Sequence, residues 1–149
     1  MRRKTTATRG FTLLHVLVAI AILSTLAAIA VPNWGTLLPG YRLNSAARQV
    51  ATELQSARNR AMAEYRRFKV VFDTATTFTV QREQTPGLED YAVSSGPKSL
   101  PSGITAAFTG TPVFQPRGDA SQAVTITLTN SKGDTRQAVV SLTGRVDIQ

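Results

Sequence analysis

RGFTLLHVLVAIAILSTLAAIAVP, residues Arg9 to Pro32, decides how this chain folds. Four basic residues (Arg2, Arg3, Lys4 and Arg9) precede Gly10, and from Phe11 to Gly40 there is no Asp, Glu, Lys or Arg. A helix rises 1.5 Å per residue, so Phe11 to Val31 would be roughly 31 Å long, about the thickness of a bilayer core. The sequence therefore predicts a membrane-length helix at the start of the chain. Basic residues before it place the N-terminus in the cytoplasm and everything after it outside.

A secretory signal has a shorter apolar core, followed by a small-residue cleavage site, and is lost on cleavage. Here the feature that looks like a processing point, Gly10-Phe11, comes before the apolar run. Arg9-Gly10-Phe11-Thr12-Leu13-Leu14 closely resembles the prepilin leader of type IV pilins and type II secretion pseudopilins. The resemblance implies cleavage between Gly10 and Phe11 by a prepilin peptidase and methylation of the new Phe11 amine. It also implies that the apolar helix survives as the assembly helix of a filament subunit. Pro32 stands where family members commonly carry a proline, at which the helix bends or unwinds during assembly.

His15 departs from the pattern. The family usually has Glu at that mature position, where its carboxylate neutralises a neighbouring subunit's N-terminal amine. A cationic imidazolium beside an ammonium would be repulsive, whereas a neutral imidazole keeps one acceptor nitrogen for that amine. Two readings stand: His15 is tolerated as a neutral polar residue, or the subunit sits at or near a filament tip, where no subunit above demands the Glu contact.

With 149 residues, the chain accommodates one domain beyond the helix. The formal charge of +8 overstates any affinity for nucleic acid, because loss of the leader leaves 13 basic against nine acidic side chains. Cysteine is absent and the one histidine is His15, which excludes disulfides, thiolate nucleophiles and histidine-based sites in the exported part. The acidic residues show neither paired nor metal-like spacing, and Ser94-Ser95-Gly96 has loop composition. The expectation is a non-enzyme with no cofactor and no metal.

The stretch Asn33-Trp34-Gly35 and Pro39-Gly40 predicts an irregular start to the second half of the helix. From Leu43 the pattern is strong: Leu43, Ala47, Val50, Leu54, Ala57 and Ala61 form one apolar stripe at alternating spacings of four and three. Gln49, Glu53, Arg60, Glu64 and Arg67 avoid the stripe and are free to face water or neighbours. The period changes at Phe68. Phe68–Phe72 and Thr77–Arg82, around an Asp73–Thr76 turn, read as a β-hairpin. Residues 85–103 read as a loop with a short strand at Tyr91–Val93. Further strands are expected at Ile104–Phe108, Val113–Gln115, Val124–Thr129, Gln137–Leu142 and Arg145–Ile148, with a hairpin turn at Asn130–Asp134.

Phe114-x-Pro116-x-Gly118, Val124-Thr-Ile-Thr-Leu128 and Thr143-Gly144-Arg145-Val146 resemble the GspH/FimT group of minor pilins and pseudopilins. That resemblance implies a structural subunit that primes, or sits near the tip of, a type IV pilus or a type II secretion pseudopilus. Some FimT-type proteins bind DNA and carry a C-terminal Gly-Arg-x-Arg. Here the motif is Gly144-Arg145-Val146-Asp147, so one arginine is matched and the other is replaced by an acid. The candidate DNA contacts of this alternative are Arg58, Arg60, Arg66, Arg67, Lys69, Arg117, Arg136 and Arg145. A solvated, salt-bridged helix face is the competing account of the same residues.

The fold expected is α+β, with a long N-terminal helix continuing as an amphipathic stalk packed on a small antiparallel β-rich head. Its segments are a cleaved leader (1–10), a transmembrane and assembly helix (11–31), a stalk helix with an irregular start (32–66) and the head (67–149). The partners implied by the resemblance are the prepilin peptidase, other minor pilins or pseudopilins, the inner-membrane assembly platform and, before assembly, the lipid bilayer. The head would be periplasmic.

Overall fold

The computed structural model describes residues 12–149, and within them the side chains of all but residues 29–36. The leader, the Gly10–Phe11 junction and the side chain of Pro32 lie outside the described residues. The chain divides into two compact units, one ending at Leu37 and one running from Leu38 to Gln149.

Helix α1 runs from Leu13 to Glu64. The irregular start expected over 32–40 is not found: the helix continues through Pro32, Gly35, Pro39 and Gly40. A proline removes one backbone donor and crowds the preceding turn, at a cost of about 3 kcal/mol. Pro32 and Pro39 are seven residues apart, close to two turns, so both missing donors fall on one side of the helix. Helix on either side propagates without a second nucleation cost, which lets it carry both defects.

In the first unit the described apolar side chains are all open. Leu13, Leu17, Leu23 and Leu26 are more than half exposed. The hydroxyls of Ser24 and Thr25 donate back to the carbonyls of Ile20 and Ile22 at 2.8 Å, so they present no unmet donor to an apolar environment. Thr12 precedes the first helical residue, and its hydroxyl is hydrogen-bonded to His15 Nδ1. Among the described residues, no helix is long and apolar enough to cross a membrane. The Phe11–Val31 stretch extends past the described side chains at both ends.

The second unit holds the core. The whole predicted stripe is buried, with Leu43 at 3% exposure and Leu54 and Ala61 at zero. Alanines at 46, 47, 57 and 61 are buried in the same core as the strand residues. Eight strands follow: β1 (Phe68–Phe72), β2 (Thr77–Glu83), β3 (Tyr91–Ser99), β4 (Ile104–Phe108), β5 (Val113–Phe114), β6 (Val124–Asn130), β7 (Thr135–Val140) and β8 (Val146–Ile148). They form two antiparallel four-stranded sheets, ordered β3-β2-β1-β5 and β4-β6-β7-β8.

Alternation into the core is clearest in β1 and β6: Phe68, Val70 and Phe72, and Val124, Ile126 and Leu128, are buried and the residues between them are not. Phe72 joins the two sheets: its ring lies 5.4 Å from Phe78 and 5.2 Å from Phe108. The β6–β7 turn is closed by Asn130 Oδ1, which accepts from the N–H groups of Lys132 and Asp134 at 2.9 Å.

Two strands differ from expectation by more than one residue at an end. β3 is nine residues long where a three-residue strand was read, and β7 begins and ends two residues early. Ser94-Ser95-Gly96-Pro97 has turn composition, but β3 is an edge strand. On an edge a proline's missing donor costs no ladder bond, and register shifts between Phe78 and Gln81 absorb the mismatch with β2.

Candidate functional site

The polar residues beside the helix stripe are engaged by the sheet at its solvent-accessible margin. Gln49 donates to the Ser99 carbonyl at 3.2 Å, Glu53 pairs with Lys98, and Arg60 Nη2 donates to Ser94 Oγ at 2.6 Å. Glu64 pairs with Arg82 at 3.1 Å. Residues 49, 53, 60 and 64 lie along one helix face, so this row fastens the helix to β3 and β2. Burial alone would raise the Glu64 pKa, but hydrogen bonds from Arg82 and Arg60 outweigh it and hold the carboxyl below its ordinary value.

Arg58 does a different job. Its Nε donates to the Gly118 carbonyl at 2.7 Å and its Nη2 to the Thr143 carbonyl at 3.3 Å. Those carbonyls belong to the Phe-x-Pro-x-Gly and Thr-Gly-Arg-Val pieces, which are thus brought together over the helix. Gly144 has φ 75°, and a Cβ there would run into the Gly118 carbonyl oxygen. Both glycines are required: Gly118 (φ 86°) would also press a side chain onto Met62. Sequence reading assigned Arg58 to a basic cluster and missed this role. The available signal was spacing: Arg58 stands four residues after Leu54 and three before Ala61, which puts it on the stripe's own face.

The candidate DNA contacts are largely engaged within the molecule. Arg58 holds the two loops, Arg60 pairs with Glu64 and lies 4.7 Å over the Phe68 ring, and Arg66 donates to the Gln84 carbonyl. Arg67 pairs with Glu89 at 3.3 Å and with buried Glu83 at 3.9 Å. Lys69 Nζ sits 4.0 Å over the Tyr91 ring, and Arg145 pairs with Asp147 at 2.9 Å. Arg117 and Arg136 are exposed and make no ion pair among the described residues. Arg117 and Arg145 flank the abutting glycines, whereas Arg60, Arg66, Arg67 and Lys69 reach the β2–β3 side. The arrangement is therefore not one continuous cationic track.

A groove of about 660 Å³ crosses the outer face of β1, β3 and β5, lined by Arg67, Lys69, Tyr91, Val113, Gln115 and Ser121 among others. Burial, reinforced by Glu83, raises the Tyr91 hydroxyl pKa. Among the described residues, no group of three or more His, Asp or Glu side chains could hold a metal ion.

A long helix whose second part packs on two antiparallel sheets, with an open apolar first part, defines a pilin-like structural subunit. The family model for the type II transport protein GspH matches residues 46–144, and the chain belongs to that family. The match begins at the buried helix stripe and ends on Gly144, so it takes in both loops that Arg58 holds. The fold is similar to the minor pseudopilin EpsH of the Vibrio cholerae type 2 secretion system. That comparison gives a TM-score of 0.60 at 11% identity over 72% of this chain and 96% of that one. It is also similar to the type IV minor pilin FimU of Pseudomonas aeruginosa, with a TM-score of 0.57 at 18% identity over 72% of this chain and 87% of that one. No curated protein sequence matches significantly. The chain is thus a minor pilin or pseudopilin of the type II secretion or type IV pilus kind, from a family of structural subunits rather than enzymes. Such a subunit belongs to the cell envelope and works with other pilins of its system.

Proposed function

We propose that this chain is made as a precursor, cut between Gly10 and Phe11 by a prepilin peptidase, and methylated on Phe11. Its helix over 11–31 holds it in the inner membrane, with the N-terminus cytoplasmic and the head periplasmic, until an assembly platform draws it into a filament. There it primes assembly or sits near the tip, where His15 in place of Glu is tolerated.

The observation that carries this reading is the contrast between the two units. The second closes its own core, while the first leaves Leu13, Leu14, Leu17, Leu23 and Leu26 exposed along a helix. Contiguous apolar surface of that extent needs a second environment, and the proposal supplies two in turn: lipid, then other pilin helices. Leu13–Ala28 alone would span about 24 Å, so a full crossing draws on residues at both ends of the described stretch. The scattered, largely engaged arginines favour subunit contacts over DNA as the task of the head. Mass spectrometry of the chain from a host with active prepilin peptidase tests the proposal. The mature protein should begin at N-methyl-Phe11, and an intact leader would defeat the assignment.

A further inference from the structure

One end of the second unit collects three turns beside the start of its helix. The Leu100 N–H donates to the Thr76 carbonyl at 2.8 Å and the Ala106 N–H to the Ala75 carbonyl at 2.7 Å, which joins the β1–β2 turn to the β3–β4 loop. Ile104 pairs with Asn130, so the β6–β7 turn lies alongside. Arg42 Nη1 donates to the Ser102 carbonyl at 3.3 Å and ties the helix to the same end. Arg136 also stands there. It shares the core-facing row of β7 with Ala138 and Val140, but it lies past the end of the core and is exposed.

The arginines of the two ends differ in their partners. At the opposite end Arg60, Arg67, Arg82 and Arg145 pair with carboxylates, and Arg117 does not. At the end near Leu38, Arg42, Arg48 and Arg136 are all exposed, and none of them belongs to an ion pair among the described residues. Lys132 adds a cation on the β6–β7 turn. The carboxylates here are Asp134, which accepts from Asn130 Nδ2 at 2.8 Å, and Asp73, which accepts from the Thr79 hydroxyl at 3.4 Å. Glu53, further along the helix, is held by Lys98. Cations therefore outnumber acids at this end, and three of them have no internal counter-charge.

Apolar side chains accompany these cations. Leu38 and Tyr41, 45% and 75% exposed, share a helix face with Ser45 and Arg48, turned away from buried Leu43 and Ala47. A tyrosine ring beside arginines suits a membrane interface, where the ring sits at headgroup level and guanidinium groups reach phosphates in a two-pronged grip. Leu38 follows Val31 by seven residues, which is about 10 Å of helix and at most about 25 Å of extended chain. A head tethered so closely meets the surface as an intramolecular event, so a few individually weak contacts suffice to hold it.

We propose that this end of the second unit, through Arg42, Arg48 and Arg136, binds the phosphodiester headgroups of anionic lipids in the membrane that holds the helix, and keeps the head on the bilayer surface until extraction. The proposal rests on the membrane reading above. Cysteine is absent, so single reporters can be placed in the full chain. Ser131→Cys, on the β6–β7 turn, and Leu88→Cys, at the opposite end, each carry a fluorophore. The chain is reconstituted in phosphatidylcholine vesicles with or without phosphatidylglycerol, and a headgroup-linked nitroxide lipid quenches any label held at the surface. Each arginine near an anionic surface contributes about fivefold. Phosphatidylglycerol should therefore raise the held-to-lifted ratio at position 131 by about tenfold or more, and leave position 88 unquenched. Arg42→Gln, Arg48→Gln and Arg136→Gln should each lower that ratio about fivefold with the unfolding midpoint unchanged, whereas Arg117→Gln should not. High salt should lift the head of the unaltered chain, and inorganic phosphate at matched ionic strength should have no further effect.

A ratio at position 131 that ignores phosphatidylglycerol or salt, equal quenching at 88 and 131, or a loss in Arg117→Gln as large as in the other three variants would overturn the proposal. So would displacement by inorganic phosphate at matched ionic strength, which would make the site one for a soluble anion. Duplex DNA that lifts the head through the same three arginines would assign them to nucleic acid and overturn it too. A chain that floats with the vesicles yet shows no dependence on phosphatidylglycerol defeats the lipid site alone. A chain that does not float with them defeats the membrane reading as well.

Discussion

Arg58→Ala should loosen the joint between the two family motifs, and the structure sets the size of the effect. The substitution removes a 2.7 Å bond to the Gly118 carbonyl and a longer, 3.3 Å bond to the Thr143 carbonyl. A charged donor to a neutral acceptor contributes about 1.5–3 kcal/mol when the geometry is good, and less when it is stretched. Gly118 is buried, so its carbonyl loses its partner where water does not readily replace it. A loss of about 3 kcal/mol follows. The described buried side chains all lie at Leu43 or beyond, so the unit Leu38–Gln149 carries its own core and suits urea denaturation. With a slope of about 2 kcal/mol/M the midpoint should fall by roughly 1.5 M. Arg58→Lys, which keeps the charge but loses the two-pronged donor, should fall by about half as much. Gly144→Ala strikes the same joint, because its new Cβ meets the Gly118 carbonyl. The double variant should therefore be less than additive, by about 1 kcal/mol or more. A midpoint shift under about 0.3 M for Arg58→Ala, or strict additivity with Gly144→Ala, would refute the joint.

Other variants probe the rest of the account. Leu54→Ala, at a fully buried stripe position, should cost about 3 kcal/mol by the same denaturation measurement, since it leaves a cavity between helix and sheets. The depressed pKa of Glu64 contributes stability that is present at neutral pH and lost as pH falls through the carboxylate range toward its folded value. Glu64→Gln should therefore flatten the acid limb of a stability–pH profile. Lys98→Ala removes a partly exposed ion pair with Glu53 and should change stability by less than about 1 kcal/mol, with the difference shrinking at high salt.

What the sequence made legible is what periodicity and turn chemistry encode. The stripe from Leu43 to Ala61 is buried throughout because four-and-three spacing puts those residues on one face whatever they pack against. The β1–β2 and β6–β7 hairpins followed from alternation around strong turn residues. β3 was read short because its Gly-Pro composition argues against a strand, and only its place at the edge of a sheet makes that composition harmless. The continuous helix through Pro32 and Pro39 was missed because propensity is local, while a 52-residue helix draws on the turns at either side. The Arg58 joint depends on two carbonyls 60 and 85 residues away, and no local pattern announces such a contact. For the row from Gln49 to Glu64 the sequence leaves water and neighbours both open, because β3, its main acceptor, reads mostly as loop.

The measurement that tests the central claim most directly is the chain's abundance in purified filaments, quantified by mass spectrometry in a normal host and in one unable to process prepilins. The account predicts a chain that starts at Phe11 and is present well below the main subunit in normal filaments. In the processing-deficient host it should be retained in the inner membrane with its leader attached. Filaments that never contain the chain, or a head that leaves the membrane without its apolar helix, would contradict it.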